Sequence, residues 1–427
     1  MEDRKTNDKF LYSIIFFVFV TSSFDIFLTF SISGFTFRIS QIIGLILLFI
    51  YILKLFRSKK TSTPMGYKSL LIWTLFLIFF TFNTVKPSIN IAYHLWLIYD
   101  ILLIFSLTDL INNEENANRI IKLYIKSFLV MAIVGIIEFI LAILHINVTY
   151  ITQWWIAGKL PRINGFSYEP SYYATYLIMG WTLCRVLLQK KVMIIKNLKL
   201  ITFIITIAII LSTSRMGIVL MIVYEIYIWM KSFLKGKNKK YIFFMAIVGI
   251  IVGIIVVSLL KSGKFDFLLS GTGLKGSSSH SVSVRQNDLN NVLDVFKESP
   301  ILGRGLGGIY AQIALNKGLD VETINIQHSV TGISVFAEVL AASGILGFIF
   351  FAMYIIKLLK IPFKIQNKDI DIRCKNIISA LTISFLMEVV ILQFNQNILR
   401  MYVWIHIAVI SMYYKNIQHK DDERKNL

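Results

Sequence analysis

The chain has 427 residues, of which 56% are apolar and only 16% are charged, and its formal net charge is +20. A soluble protein contains about 25% charged residues, so the composition excludes a soluble globular domain, a disordered chain and a coiled coil. Apolar runs of about 15–25 residues recur along the whole sequence, and each is long enough to cross a hydrocarbon core about 30 Å thick. We therefore expect an all-α polytopic membrane protein.

About twelve transmembrane helices are predicted, within a single integral membrane domain that spans residues 1–427. In chain order they lie near residues 10–30, 39–56, 68–85, 90–110, 120–146, 169–188, 198–213, 215–234, 240–260, 330–359, 375–394 and 396–414. The first run follows basic residues, as a signal peptide does, but no small-residue cleavage site follows it. It is interpreted as an uncleaved helix.

The basic residues are distributed unevenly between the two sides of the predicted bundle. Most Lys and Arg residues fall in connections on the same side as the N-terminus, for example around Arg57, Lys190 and Lys237. Short cytoplasmic connections of membrane proteins carry such an excess. Both termini are therefore predicted to be cytoplasmic, and the net charge needs no nucleic-acid partner to explain it.

One connection is much longer than the others, and it falls on the predicted outer side. Residues 261–329 are expected to form an extracytoplasmic loop that is partly helical. An amphipathic helix within it is indicated by apolar residues at i, i+3, i+4 and i+7: Leu289, Val292, Leu293 and Phe296. Two glycine-rich stretches, 271–276 and 303–308, match a dinucleotide-binding spacing, but no βαβ unit surrounds them, so they are interpreted as turns.

Four arginines lie near the predicted outer membrane face. Arg215 begins a helix with no loop before it, Arg285 and Arg304 lie in the long loop, and Arg162 precedes the sixth helix. Guanidinium groups bind phosphate through two parallel hydrogen bonds. An arginine that extends along the bilayer toward water is the alternative for Arg215. The common location of the four favours a phosphate or diphosphate site.

Glu169 and Pro170 begin the sixth helix. An acidic residue near the first turn and proline at the first helical position are also ordinary helix-start chemistry, so this pair alone leaves structural and functional roles open. The neighbouring Tyr168 and Tyr172 are candidates for binding a sugar.

His328 lies where the long loop returns to the membrane. Its ordinary pKa, near 6.5, suits a general base or a phosphate partner, although a lone histidine is more often structural. The sequence contains no metal-binding motif, so no metal and no cofactor is expected. Acidic residues inside predicted helices need partners in the bundle: Asp25, Asp100, Glu138, Glu338 and Glu388.

Four motifs, in this order, resemble the O-antigen polymerase and O-antigen ligase superfamily of bacterial polysaccharide enzymes. They are Arg162–Pro170, Ser212–Arg215, Arg285 with Ser299–Gly305, and His328 with Glu338 and Gly344–Gly347. The resemblance implies a fold related to the C-type membrane glycosyltransferases. It also implies metal-independent transfer of a glycan from an undecaprenyl-diphosphate carrier, on the extracytoplasmic side of the bacterial inner membrane.

The resemblance also implies roles for particular residues. Arg215 and Arg285 would hold the diphosphate leaving group, and His328 would lie beside the reacting centre. Either His328 or Glu169 would take the proton from the acceptor hydroxyl, and the sequence leaves the choice open. Ser329 stands after His328, in place of the Asn or Thr that is typical of ligases.

Within the superfamily, the Glu169-Pro170 motif favours a polymerase, which joins lipid-linked repeat units of an O-antigen or capsule. A ligase, which moves the finished glycan to a final acceptor, is the alternative. A secondary transporter or a lipid-linked oligosaccharide flippase is an alternative of another class, but the sequence lacks the matching halves typical of transporters. The expected partners are undecaprenyl-diphosphate-linked glycans and the lipid bilayer, with a flippase and a chain-length regulator as candidate protein partners.

Overall fold

The computed structural model describes residues 2–32, 35–58, 61–146, 150–156, 159–234, 277–321, 334–394 and 397–425. The predicted ninth helix (residues 240–260), the stretch 271–276 and His328 lie outside these residues. Within them the protein is mostly helical.

The helices lie close to the positions predicted from apolar runs. In the first part of the chain they are α1 (Glu2–Thr21), α2 (Ile39–Arg57), α3 (Tyr67–Phe79), α4 (Pro87–Leu110), α5 (Glu114–Ile143), α6 (Pro170–Gln189), α7 (Leu198–Leu211) and α8 (Arg215–Leu234). In the second part they are α9 (Ser277–Glu298), α10 (Gly308–Asn316), α11 (Val335–Leu359), α12 (Ile361–Ile365), α13 (Ile372–Ile391) and α14 (Met401–Lys425). The largest differences are that α1 begins and ends eight to nine residues earlier than predicted and that α14 continues to Lys425.

Six helices of the described ranges are long and apolar enough to cross a membrane: α2, α4, α5, α8 through Phe233, α11 and α13. The helices α3, α7 and the Lys9–Thr21 part of α1 are apolar but shorter. Helix α6 is long enough but less apolar, and its residues 172–184 are all buried in the protein. A helix surrounded by other helices needs no lipid-facing apolar surface, so α6 is central although its composition does not mark it as a span.

Helix α6 is the centre of the bundle. It packs against α5, α7, α8 and α13, while α14 packs against α4, α5 and α13. The helices α2, α4, α6, α8 and α14 all begin at one end of the bundle, which we call the arginine end because the candidate arginines lie there. The opposite end carries other ion pairs, such as that of Lys54 with Asp109 at 2.8 Å.

Two short antiparallel hairpins, which the sequence did not predict, lie at the arginine end. In the first, β1 (Thr29–Ile32) pairs with β2 (Phe35–Arg38). In the second, β3 (Gln153–Ile156) pairs with β4 (Leu160–Arg162), and Gln153 is opposite Arg162. These segments are rich in aromatic and β-branched residues, which favour strands. A prediction based on spans long enough to cross a membrane does not detect them.

Three of the buried acidic residues that were expected to need partners, Glu138, Glu338 and Glu388, have them. A carboxylate oxygen of Glu138 accepts a hydrogen bond from the Gly165 backbone N–H at 2.9 Å. Glu338 accepts one from the Ile398 N–H at 3.0 Å. Glu388 lies 2.8 Å from Nδ1 of His406. Each contact joins two parts of the bundle that are distant in sequence.

Helix α11 is interrupted at Gly344, whose backbone is not helical (φ 59°, ψ −172°). The turn after α9 fills the interruption. The N–H groups of Arg304 and Gly305 donate to the carbonyls of Ala341 and Ala342 at 2.9 and 2.8 Å, and the Ile345 N–H donates to Pro300 at 2.8 Å. The glycine turn and the broken helix thus complete each other's hydrogen bonds.

The glycines of this turn are required by space and by backbone conformation. Gly303 has a φ of 75°, and a Cβ there would overlap the Ala342 carbonyl. Gly305 has a φ of 77°, and a Cβ there would overlap the Asn90 side chain. The interpretation of residues 303–308 as a turn is confirmed, and the amphipathic segment before it is helical, with Val292 and Val295 buried.

Candidate functional site

The second hairpin and the junction between α7 and α8 bring Arg162 to the arginine end. Nε of Arg162 donates to the Thr213 hydroxyl at 2.6 Å, and Nη1 donates to the Gln153 side-chain oxygen at 2.6 Å. These two bonds fix the direction of the guanidinium group. Since Arg215 begins α8 two residues after Thr213, the same junction also places Arg215.

Thr213 has a left-handed backbone, with a φ of 51°. A β-branched residue seldom adopts this conformation, and such strain costs on the order of 1–3 kcal/mol. The residue makes a tight reversal between two membrane helices and presents its hydroxyl to Arg162. The local strain therefore accompanies a contact that orders the site.

The charges of Arg215 and Arg285 both act on Arg162. Burial lowers the pKa of the Arg162 guanidinium, the charge of Arg215 lowers it further, Glu169 opposes this, and Arg285 contributes again to the lowering. Three of the four predicted arginines, from β4, α8 and α9, thus lie close enough together for their charges to interact, and the charge of Glu169 also reaches Arg162. Such a convergence of positive charge suits a multiply charged anion.

Glu169 stands at the start of α6 with an extended backbone, and Pro170 occupies the first helical position. Its side chain makes no capping hydrogen bond to the helix; the carboxylate accepts one from the Ser171 hydroxyl at 3.0 Å. The Glu169 side chain therefore does not cap the helix. Its carboxylate belongs to the electrostatic surroundings of Arg162.

The two candidate sugar-binding tyrosines differ in accessibility. Tyr168 is 54% exposed, whereas Tyr172 is 4% exposed. The guanidinium carbon of Arg400 lies 3.8 Å from the Tyr172 ring centroid, so one face of that ring is covered. Of the two, Tyr168 offers the accessible ring.

Arg304, the fourth predicted arginine, lies in the glycine turn. Its backbone N–H is used by α11, and its Nη2 is 3.9 Å from a carboxylate oxygen of Glu298, at the end of α9. Arg304 is thus placed by the turn and by Glu298. The charges that act on Arg162 do not include that of Arg304.

A group of charged residues that the motif analysis did not single out lies next to Tyr168 and Tyr172. A carboxylate oxygen of Asp25 is 2.6 Å from Nη1 of Arg400 and 3.1 Å from Nε of Arg38. Asp25 was expected to need a partner, but neither arginine was a candidate. Arg38 and Arg400 each stand immediately before a helix. Charged residues are common at the ends of membrane helices, so the sequence gives no reason to single these two out.

The catalytic candidate His328 and its neighbours lie outside the described residues. Within the described part of the chain, no group of three or more His, Cys, Asp or Glu side chains is arranged to hold a metal ion. The positive charge that the described residues bring to the site comes from guanidinium groups.

The O-antigen ligase family model matches residues 200–352 of the chain. This range contains Arg215, Arg285, Arg304 and His328, but not the motif of Arg162 and Glu169. No curated protein matches the sequence significantly.

The matched family consists of glycan-transferring enzymes that act on lipid-linked glycans in the bacterial membrane. The apolar helices agree with a multi-pass membrane protein. The matched domain, together with the motifs that precede it, supports the assignment of this chain to the O-antigen polymerase and ligase superfamily.

Proposed function

We propose that the protein polymerises undecaprenyl-diphosphate-linked repeat units into an O-antigen or capsular polysaccharide, on the extracytoplasmic side of the inner membrane. The observation that carries the proposal is the grouping of Arg162, Arg215 and Arg285, with Glu169 near enough for its charge to act on Arg162. A lipid diphosphate leaving group needs fixed positive charge, and an acceptor hydroxyl needs a nearby base.

In the proposed step, the bond between the anomeric carbon of the donor glycan and the diphosphate oxygen breaks. The electron pair of that bond moves to the diphosphate, whose growing charge Arg215 and Arg285 stabilise. The acceptor hydroxyl oxygen forms the new bond to the anomeric carbon, and its proton goes to Glu169 or His328. Undecaprenyl diphosphate is released, and no charge from a metal ion enters the step.

The remaining residues would bind and orient the substrate. Arg162, fixed by Thr213 and Gln153, would contact the diphosphate from the hairpin side. The exposed Tyr168 suits stacking on a sugar. Arg304 approaches Glu298 and is not among the charges that act on Arg162, so we assign it a lesser part.

A ligase is the second candidate, because the family model that matches residues 200–352 is that of O-antigen ligases. The two activities differ in the acceptor. A polymerase transfers the growing chain to the sugar of another lipid-linked repeat, whereas a ligase transfers it to a final acceptor such as lipid A core. The Glu169-Pro170 motif, which lies outside the matched range, favours the polymerase.

The test uses purified protein with lipid-linked single repeats as the only glycan, in buffer with EDTA. We expect a ladder of longer chains that are still attached to the carrier. Transfer only after lipid A core or another final acceptor is added would assign the protein as a ligase. Activity that EDTA abolishes and a divalent cation restores would contradict the metal-independent step.

A further inference from the structure

The segment that carries Glu169 is held against the chain that follows α1. The backbone N–H groups of Asp25 and Ile26 both donate to the Phe166 carbonyl, at 2.8 and 3.1 Å. The Ser167 hydroxyl donates to the Ser23 carbonyl at 2.9 Å. These bonds join parts of the chain that are about 140 residues apart, as the separation of 144 between Ser23 and Ser167 shows.

The Asp25 side chain continues this attachment up to the residue before Glu169. One carboxylate oxygen accepts the Tyr168 backbone N–H at 3.2 Å. The other accepts a hydrogen bond from Nη1 of Arg400 at 2.6 Å. The carboxylate therefore links the start of α6 to the start of α14.

Arg400 completes the attachment on the other side of Glu169. Its guanidinium lies over the ring of Tyr172, three residues after Glu169, with 3.8 Å between the guanidinium carbon and the ring centroid. Arg400 is 8% exposed, so the contact is shielded from water, where a cation–π contact is strongest. Asp25 and Arg400 together thus hold the backbone before Glu169 and the first turn after it.

We propose that Asp25 and Arg400 are positioning residues that act through Glu169, by fixing the place of its carboxylate relative to the arginine cluster. The inference rests on the proposed role of Glu169 in glycan transfer. Removal of one partner of a buried ion pair destabilises a fold whatever the role of the pair, whereas a misplacement of about 1 Å at a reacting group can lower the rate about a hundredfold. Activity, measured on folded protein, therefore separates the two roles.

The test is a double-mutant cycle on purified protein, with consumption of the lipid-linked donor as the measured rate. Asp25→Asn alone is expected to lower kcat about tenfold and to leave the KM for the donor unchanged. In a Glu169→Gln background the same substitution is expected to change kcat less than twofold, because the group that it positions is already removed.

Asp109→Asn is the matched control. Asp109 has the same kinds of partner as Asp25, a backbone N–H from Ser62 at 2.7 Å and the Lys54 ammonium at 2.8 Å, but it lies at the opposite end of the bundle. Any effect of this substitution should be equal in both backgrounds. If Asp25→Asn fails to insert, Arg400→Gln takes its place, with the same two expectations.

Three results would overturn the inference. They are an equal loss of kcat in both backgrounds, a rise in donor KM with kcat unchanged, and full activity of Glu169→Gln. A protein that lengthens no chains but transfers glycan to an added final acceptor would refute the polymerase proposal only. The cycle is then measured on that transfer, and its outcome decides the positioning role separately.

Discussion

Arg162, Arg215 and Arg285 bring three like charges to one small region. Two unit charges about 4 Å apart repel by about 1 kcal/mol in water and about 4 kcal/mol in the surroundings of a protein surface. A multiply charged anion relieves this repulsion and gains charge-assisted hydrogen bonds as well. Under the proposed function, the cluster would therefore favour binding of a diphosphate, most strongly when negative charge grows on the leaving group.

Arg215→Lys and Arg285→Lys should each insert normally and lose at least about tenfold in activity. Lysine keeps the charge but cannot donate the two parallel hydrogen bonds of a guanidinium. The measurement is the amount of polymer made per amount of protein in the membrane. Arg57→Lys, at an exposed arginine at the end of α2, is the control and should be fully active. Normal amounts of polymer in both Arg215→Lys and Arg285→Lys would contradict the proposal that these arginines bind the diphosphate.

At the scale of secondary-structure elements, the interlocked turn and broken helix distinguish this fold. Ser299–Gly305 and Gly344–Gly347 are separate motifs in the sequence, and nothing in their spacing shows that they meet. In the structure the first supplies the hydrogen bonds that the second has lost. The two motifs are one structural unit, and this unit also fixes the end of α9, the helix that carries Arg285.

Gly303→Ala and Gly318→Ala separate the effect of this packing from that of backbone strain. Both glycines have left-handed backbones, with φ of 75° and 68°, but a Cβ meets the α11 backbone at Gly303 and nothing within 4 Å at Gly318. Gly318→Ala should therefore lower the free energy of unfolding by about 1–2 kcal/mol through backbone strain alone. Gly303→Ala should lower it clearly more, because the added Cβ also meets the α11 backbone.

The measurement for this pair is the midpoint of thermal unfolding in detergent. Gly303→Ala should lower it further than Gly318→Ala. Equal midpoints would mean that the turn does not pack into α11 in the way the structure shows.

Most helices could be predicted from the sequence, because a long apolar run that crosses a membrane must satisfy its own backbone hydrogen bonds and does so as a helix. The sequence also singled out Arg162, Arg215 and Arg285, whose charges interact in the structure, because charged groups are rare in such an apolar chain. It did not indicate the hairpins, which are too short for a span, or the contact between Asp25 and Arg400. That contact joins residues 375 positions apart, and only the tertiary fold brings them together.

At the scale of the whole molecule, the two ends of the bundle differ in what their charges do. At the arginine end, guanidinium groups lie close together, and Glu169 lies near Arg162. At the other end, lysines bind the ends of helices, as Lys415 does when it donates to the carbonyls of Thr108 and Ile111 at 3.3 and 3.2 Å. This difference agrees with a chain whose substrate approaches from one side only, and the charge bias predicts that this side is extracytoplasmic.

Cysteine labelling tests the orientation. A membrane-impermeant thiol reagent should label Ser278→Cys in spheroplasts with an intact inner membrane. It should label Lys237→Cys only after that membrane is permeabilised. The natural Cys184 and Cys374 are both buried, so background labelling should be low. The reverse pattern would place the arginine cluster in the cytoplasm and would contradict extracytoplasmic transfer.

The interruption of α11 at Gly344 also has a consequence for biogenesis. Carbonyl groups inside a membrane helix need partners, and a lipid environment supplies none. Residues 300–305, which provide those partners, precede α11 in the chain, so the ribosome has completed them before Gly344 emerges. We expect a chain made without residues 277–305 to leave α11 poorly inserted, and protease protection of nascent chains would reveal this. The segment that completes the hydrogen bonds of α11 is thus translated before the break that needs it.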